Sequence, residues 1–124
     1  MDNKNHHVAI LGASNKPQRY AYRALSKLVQ HGYTVTPVHP KLDLIDEHPV
    51  KANLTEITEP VTTLTLYLGP ERSQTIVDDI IKLNPGRVIF NPGTESEILE
   101  KALEQASIPY IKDCTLIMLD YNLF

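Results

Sequence analysis

Short apolar runs alternate with helical patterns along this chain, and that alternation restricts its fold more than any other feature. The runs Val8–Leu11, Thr62–Leu68 and Arg87–Phe90 are short and rich in residues that favour strands. Such runs are typical of strands buried on both faces of a parallel sheet. Apolar residues at spacings of three and four follow each run and indicate amphipathic helices. The chain therefore predicts parallel strands joined by right-handed helical crossovers.

The whole chain, residues 1–124, is predicted to form one α/β domain, because its length matches the usual size of a single domain. We expect a doubly wound parallel sheet of five to six strands, in the order 3-2-1-4-5-6, with helices on both faces. In chain order, the predicted strands are Val8–Leu11, Tyr33–Val38, a short edge strand about Val50, Thr62–Leu68, Arg87–Phe90 and Ile108–Ile111.

Residues with capping preferences mark the expected helix ends. Gly32 is expected to end the first helix, and Asn53 to cap a single helical turn. The second crossover, after Leu68, is predicted as one helix. Thr94 and Glu97 have the T-x-x-E spacing of a capping box at the start of the third crossover helix, in which Ile98 is expected to face inward. The apolar segment that follows Cys114 fits either a helix or a strand.

Charge and composition narrow the range of partners. The net charge of −3 gives no general attraction to nucleic acid, so an anion site must be a local cluster of basic groups. No apolar run approaches the ~20 residues that cross a bilayer, so we expect no membrane partner. The single cysteine excludes an internal disulfide, and the start of the sequence lacks a signal-peptide pattern. We therefore expect a cytoplasmic protein. The five histidines lack metal-ligand spacing, so we expect no metal.

Four loops are expected to meet where ligands bind in such sheets, beyond the carboxyl ends of the strands. They are residues Gly12–Arg19, Val38–Lys41, Gly69–Arg72 and Asn91–Glu95. The first loop precedes a helix, whose free N–H groups and positive dipole end attract phosphate. In many α/β proteins a glycine at this bend serves packing alone. Ser14 lacks the G-x-S-x-G motif that surrounds a hydrolase nucleophile, so we do not expect a hydrolase.

The second loop distinguishes between nucleotides. A site for NAD needs an acid near the end of the second strand, and this chain has Val38-His39-Pro40-Lys41 instead. A lysine at this place suits a nucleotide whose ribose carries a phosphate, which leaves NADP or coenzyme A. The alternative is that His39 and Lys41 are solvated loop residues.

Together, the segments "GASNKPQRYAYRALSKLVQHGYTVTPVHPK", "YLGPERS", "IFNPGTE" and "DCTLIML" resemble the CoA-binding domain family. These are small Rossmann-like proteins similar to the N-terminal domain of the succinyl-CoA synthetase α subunit, and the resemblance covers Val8 to Leu119. It implies a groove for coenzyme A across the strand ends. By matching motif, it assigns Gly12, Ala13, Ser14, Lys16 and Arg19 to the phosphates; Val38, Pro40 and Lys41 to the adenosine end; Leu68, Gly69, Pro70, Asn91, Pro92, Gly93 and Glu95 to the rest of the groove; and Cys114 to the family's cysteine position.

The resemblance implies binding of coenzyme A or an acyl-CoA without an assigned catalytic residue, by a carrier, a sensor or a partner of another enzyme. In the synthetase, phosphoryl transfer uses a histidine of a separate domain, which these 124 residues do not include. Two alternatives stay open: an NADP-linked oxidoreductase, and a protein-interaction module with an empty groove. We expect a monomer or a homodimer.

Overall fold

The computed structural model describes residues 3–124, in which a parallel five-stranded sheet lies between two layers of helices. The sheet has the strand order β2-β1-β5-β6-β7, and a separate antiparallel hairpin contains β3 and β4. The strands are β1 His7–Leu11, β2 Thr34–Val38, β3 Leu44–Ile45, β4 His48–Pro49, β5 Thr63–Leu66, β6 Arg87–Phe90 and β7 Tyr110–Lys112. The helices are α1 Tyr20–Gln30, α2 Pro70–Ser73, α3 Val77–Leu83, α4 Glu97–Gln105 and α5 Thr115–Asp120, with 3₁₀ turns at Leu54–Glu56 and Gln74–Ile76.

The predicted α/β fold and the order of five of the strands are confirmed. The remaining predicted strand, an edge strand about Val50, does not form. Val50 follows the β3–β4 hairpin, and the main sheet gains only a single bridge there, between Val38 and Lys51. The Lys51 N–H donates to the carbonyl of Pro37 over 3.0 Å. The ladder does not extend toward the amino ends, because the next parallel pair would require N–H groups that Pro37 and Pro49 lack.

The helices cover both faces of the sheet, as predicted. Alternate residues of β1 point to opposite faces, so Val8 and Ile10 pack on the side of α1 and α5, whereas Ala9 and Leu11 pack on the other. That second side is covered by α3, α4 and the turn Leu54–Glu56. Both layers bury apolar side chains completely, which fixes the register of the central strands.

Two predicted caps are confirmed. Gly32 has φ +86° just after α1, where the Tyr33 N–H donates to the Leu28 carbonyl (3.1 Å) and the Gly32 N–H to the Val29 carbonyl (3.0 Å). These bonds form a Schellman motif, which requires the left-handed conformation that glycine adopts readily. Asn53 caps the turn Leu54–Glu56, because its side chain accepts from the Thr55 N–H over 3.0 Å.

The predicted capping box at Thr94 and Glu97 is wrong. The cap of α4 is Ser96, whose hydroxyl accepts from the Leu99 N–H over 3.2 Å. Thr94 instead donates its hydroxyl hydrogen to the Asn91 carbonyl over 2.8 Å. Ile98, in the first turn of α4, is 58% exposed rather than facing inward, because Leu99 and Leu103 form the buried side of the helix.

The second crossover is divided, against the prediction of one helix. It begins as α2 at Pro70, passes through the turn Gln74–Ile76 and continues as α3. Neither glycine nor proline marks this break, so the sequence carried no signal for it. The segment after Cys114 forms the helix α5, which packs against α1. Within residues 3–124, no helix is both long and apolar enough to span a membrane.

An aromatic cluster lies at the amino ends of the strands, opposite the predicted ligand loops. His6 lies edge-on to Tyr33 with ring centroids 4.9 Å apart, and Phe124 lies 5.1 Å from Tyr33. The guanidinium of Arg87 sits 4.7 Å from the Phe124 ring centre. His6 Nε2 is also 2.8 Å from the Thr63 hydroxyl. Burial, and then the charge of Arg87, lower the pKa of His6 below its usual 6.5.

We predict that His6 makes the protein less stable in acid. Because the pKa of His6 is lowered in the folded state, the unfolded chain binds more protons, so stability is lost as pH falls through the unfolded value near 6.5. Urea denaturation at about pH 7.5 and about pH 5.5 should show a larger loss for the wild type than for His6→Gln. Equal losses would contradict a role for His6, because the other histidines are common to both proteins.

Candidate functional site

A cavity of about 1090 Å³ opens at the carboxyl ends of the parallel strands. Parts of the loops that follow β1, β2, β5 and β6 line it, together with residues of the two 3₁₀ turns and of α3. It lies where the connections from the adjacent strands β1 and β5 leave for opposite faces of the sheet, which is the switch point at which open α/β sheets bind ligands. We call this cavity the groove.

Most of the residues singled out in the sequence come together in the groove. Those that line it are Gly12, Ala13, Ser14, Lys16, Arg19, Val38, Pro40, Lys41, Leu68, Gly69, Pro92 and Gly93. Four others lie outside its lining: Pro70, Asn91, Glu95 and Cys114.

The first loop turns sharply at Gly12, which has φ +88°. A Cβ on Gly12 would lie 2.9 Å from the Tyr67 carbonyl carbon and 2.9 Å from Leu68 Cδ2. The N–H groups of Gly12 and Ala13 both donate to the Val38 carbonyl, over 3.3 and 3.1 Å. The ends of β1, β2 and β5 are therefore held together. The N–H groups of Gly12 and Ala13 are bonded within the protein and do not face a ligand.

The N–H donors that a ligand can reach begin further along the first loop. The Lys16 N–H donates to the Ser14 hydroxyl over 3.1 Å, which shapes the loop. The N-cap of α1 is Arg19, whose side chain makes no capping bond, and the first turn of α1 holds no acid. Lys16 and Arg19 thus lie beside the positive end of a helix dipole, an arrangement that an anion would relieve.

Hydrogen bonds from two backbone N–H groups hold the second loop in place. The His39 N–H donates to the Lys51 carbonyl over 2.9 Å, and the Lys41 N–H donates to His39 Nδ1 over 3.0 Å. Lys41 is exposed at the groove and no acid lies in this loop before Asp43. The loop thus offers a cation to the groove where an NAD site offers a carboxylate.

The charges around the groove are mostly positive. Among the residues described, its charged lining comprises Lys16, Arg19, Lys41 and Arg72 against the single carboxylate of Asp79. The groove is therefore a local anion-attracting site on a protein whose net charge is −3.

Asn91 lies beneath the groove and joins three elements. Its amide donates to the Thr65 hydroxyl (2.7 Å) and the Leu66 carbonyl (2.8 Å), while its oxygen accepts from the Thr115 N–H over 2.9 Å. Only 3% of Asn91 is exposed. It therefore fixes the ends of β5 and β6 to the start of α5.

The other three residues outside the lining border these loops. Pro70 is the first residue of α2, and the Glu95 carboxylate accepts from the Gly93 N–H over 3.0 Å. Cys114 is half-buried as the N-cap residue of α5. Pro70 and Glu95 thus shape the loops that carry Gly69 and Gly93.

Sequence reasoning missed one wall of the groove. Thr75, Ile76 and Asp79 line it because the second crossover breaks at Gln74–Ile76, and that break had no sequence signal.

Tyr67 also lines the groove, and burial raises the pKa of its hydroxyl to about 12, so the phenol is neutral. Its place at the end of a predicted strand was the available clue. The further lining residues are Leu11, Asn15, Tyr20, Ala21, His39, Leu42, Ala52, Asn53, Leu54, Arg72 and Thr94.

The sheet order and the groove at its switch point define a Rossmann-like α/β domain. The family model of the CoA binding domain matches residues 6–120. The chain belongs to this family.

Solved structures share the fold of this chain. The crystal structure of an uncharacterized protein is 38% identical, with a TM-score of 0.90, and the match covers 96% of this chain and 98% of that one. A protein from Thermus thermophilus is 30% identical, with a TM-score of 0.88 over 96% of this chain and 90% of its own. The dinucleotide-forming acetyl-coenzyme A synthetase 1 of Ca. Korarchaeum cryptofilum is 16% identical and shows the same fold, with a TM-score of 0.76 over 88% of this chain but only 26% of that one.

We predict that Gly12→Ala strongly destabilises the protein. The new Cβ would meet the Tyr67 backbone at 2.9 Å while φ stays at +88°, so strain and crowding together should cost roughly 2 to 5 kcal/mol of unfolding free energy. Urea denaturation measures this loss.

The matched control is Gly69→Ala, because a Cβ at Gly69 meets nothing within 4 Å. Its unfolding free energy should change by less than about 1 kcal/mol, since a stiffer unfolded chain offsets a poorer cap. Similar effects of the two substitutions would contradict the importance of the Gly12 contact.

Proposed function

We propose that the groove binds coenzyme A or an acyl-CoA, with the phosphates at the first loop and the start of α1. The observation that carries this proposal is the convergence of four cationic side chains on the groove beside an uncapped helix N-terminus. Membership of the CoA binding domain family supports the choice of ligand.

In this proposal, each loop has one part of the ligand. Ser14, Lys16 and Arg19 bind the pyrophosphate through their side chains, together with the free N–H groups of Ser14 and of the first turn of α1, while Gly12 and Ala13 hold the turn. Val38, Pro40 and Lys41 bind the adenosine end. The other lining residues assigned from sequence, Leu68, Gly69, Pro92 and Gly93, border the pantetheine arm, and Pro70, Asn91 and Glu95 support their loops.

The role that we propose is binding, as a carrier, a sensor or a partner of another enzyme, in the cytoplasm and as a monomer or homodimer. NADP is the competing ligand, because the cation at Lys41 also suits a phosphorylated ribose. Coenzyme A is favoured over NADP by the matching family model.

We predict that the groove binds coenzyme A more tightly than dephospho-coenzyme A, which lacks the ribose phosphate. Lys41 should supply a charge-assisted bond of about 1.5 to 3 kcal/mol, equivalent to roughly tenfold or more in dissociation constant. Isothermal titration calorimetry with the two ligands measures this difference. Lys41→Ala should lower affinity for coenzyme A and leave dephospho-coenzyme A nearly unchanged.

Lys101→Ala is the control, because Lys101 is exposed on α4 and does not line the groove. It should retain the preference of the wild type. Equal affinities of the wild type for the two ligands would overturn the role of Lys41, and tighter binding of NADP than of coenzyme A would overturn the choice of ligand.

A further inference from the structure

Asp79 is the single acid in the described lining of a groove that otherwise carries cations. It is half-buried in the first turn of α3. Within residues 3–124, its carboxylate makes no hydrogen bond or ion pair. A carboxylate repels the phosphates of a nucleotide, so its presence in this groove calls for a ligand group that donates a hydrogen bond.

The backbone places Asp79 on the side of the groove that also carries Lys41. The bonds of Lys51 to Pro37 and His39 hold residues 51–53 against the end of β2. The turn Leu54–Glu56 follows directly, and α3 packs against it. The wall that contains Asp79 thus continues from the second loop, which the proposed function assigns to the adenosine end.

The surroundings of Asp79 suit a flat base. Val38 and Leu54 are buried beside the groove, and Ile76 packs against the same apolar cluster. Apolar walls with one placed polar group are typical of sites that select an aromatic ligand. At the adenosine end, coenzyme A offers two kinds of donor: the exocyclic amino group of adenine and the free ribose hydroxyl. The ribose also carries the phosphate that faces Lys41 in our proposal, and a carboxylate close to that phosphate would be repelled.

We propose that Asp79 accepts a hydrogen bond from the exocyclic amino group of adenine and so selects the base. This inference rests on the proposed function, because it places the adenosine of coenzyme A in the groove. It makes Asp79 a determinant of specificity: a base that presents a carbonyl oxygen at this position would leave the carboxylate facing an acceptor.

The test compares coenzyme A with its analogue in which hypoxanthine replaces adenine, because the two differ at this position of the base. Calorimetry on the wild type should show about tenfold or more weaker binding of the analogue, as expected for a lost bond to a charged group. Asp79→Asn should largely abolish the preference, since an amide can donate to the carbonyl of hypoxanthine as well as accept from the amino group of adenine.

Asp78→Asn is the matched control. Asp78 occupies the same first turn of α3 but is exposed and lies outside the lining of the groove. Both substitutions remove one charge from the same helix end, so a general effect on the dipole would appear in both. The Asp78 variant should keep the preference of the wild type for adenine.

Several results would overturn the inference. Equal binding of coenzyme A and its hypoxanthine analogue by the wild type would do so without any variant and would leave the proposed function intact. An equal loss of preference in the Asp78 variant would assign the effect to helix charge. Another result would assign the carboxylate to the ribose: Asp79→Asn would still discriminate against the hypoxanthine analogue but would no longer discriminate against 2′-deoxy coenzyme A. No binding of coenzyme A to the wild type would overturn the proposed function as well.

Discussion

The close contact between Gly12 and the end of β5 is the constraint on which the groove depends. A side chain at residue 12 would lie 2.9 Å from the Tyr67 backbone, so the loop after β1 can rest on β5 only because this residue is glycine. The adjoining bonds from Gly12 and Ala13 to the Val38 carbonyl bring in the end of β2. One residue without a side chain thus joins three strand ends and sets the path of the loop toward α1.

The charge of the groove follows from this geometry. The N–H groups of Gly12 and Ala13 are bonded within the protein. The groups presented to a ligand are therefore the positive end of α1 and the side chains of Lys16 and Arg19. Lys41 approaches from the neighbouring loop, and Asp79 lies on the same side of the groove as Lys41, as the single acid of the described lining. A nucleotide with several phosphates and one base that donates hydrogen bonds matches this distribution.

The sequence predicted the parts of the molecule that depend on local patterns. Apolar periodicity predicted β1, β6 and the helices on both faces, and the glycine after α1 predicted its Schellman end. The failures have non-local causes. The break at Gln74–Ile76 has no local breaker, so the wall with Asp79 was missed, and Ser96 replaced Thr94 as a cap although both residues have suitable side chains. Asn91 was expected at the groove, yet its bonds to β5 and α5 hold it below, and such partners are visible only once the chain has folded.

In our proposal, coenzyme A lies across the carboxyl ends of the strands with its phosphates at the start of α1. A titration of the ¹⁵N-labelled protein with coenzyme A, followed by nuclear magnetic resonance, tests it most directly. The largest shifts are expected at the amides of Ser14, Asn15 and Tyr20, with further shifts at Lys41. Saturating coenzyme A that left these amides unchanged, or that shifted instead the amides of Lys82, Gln105 and Ala106 in the cleft where α3 packs against α4, would contradict it.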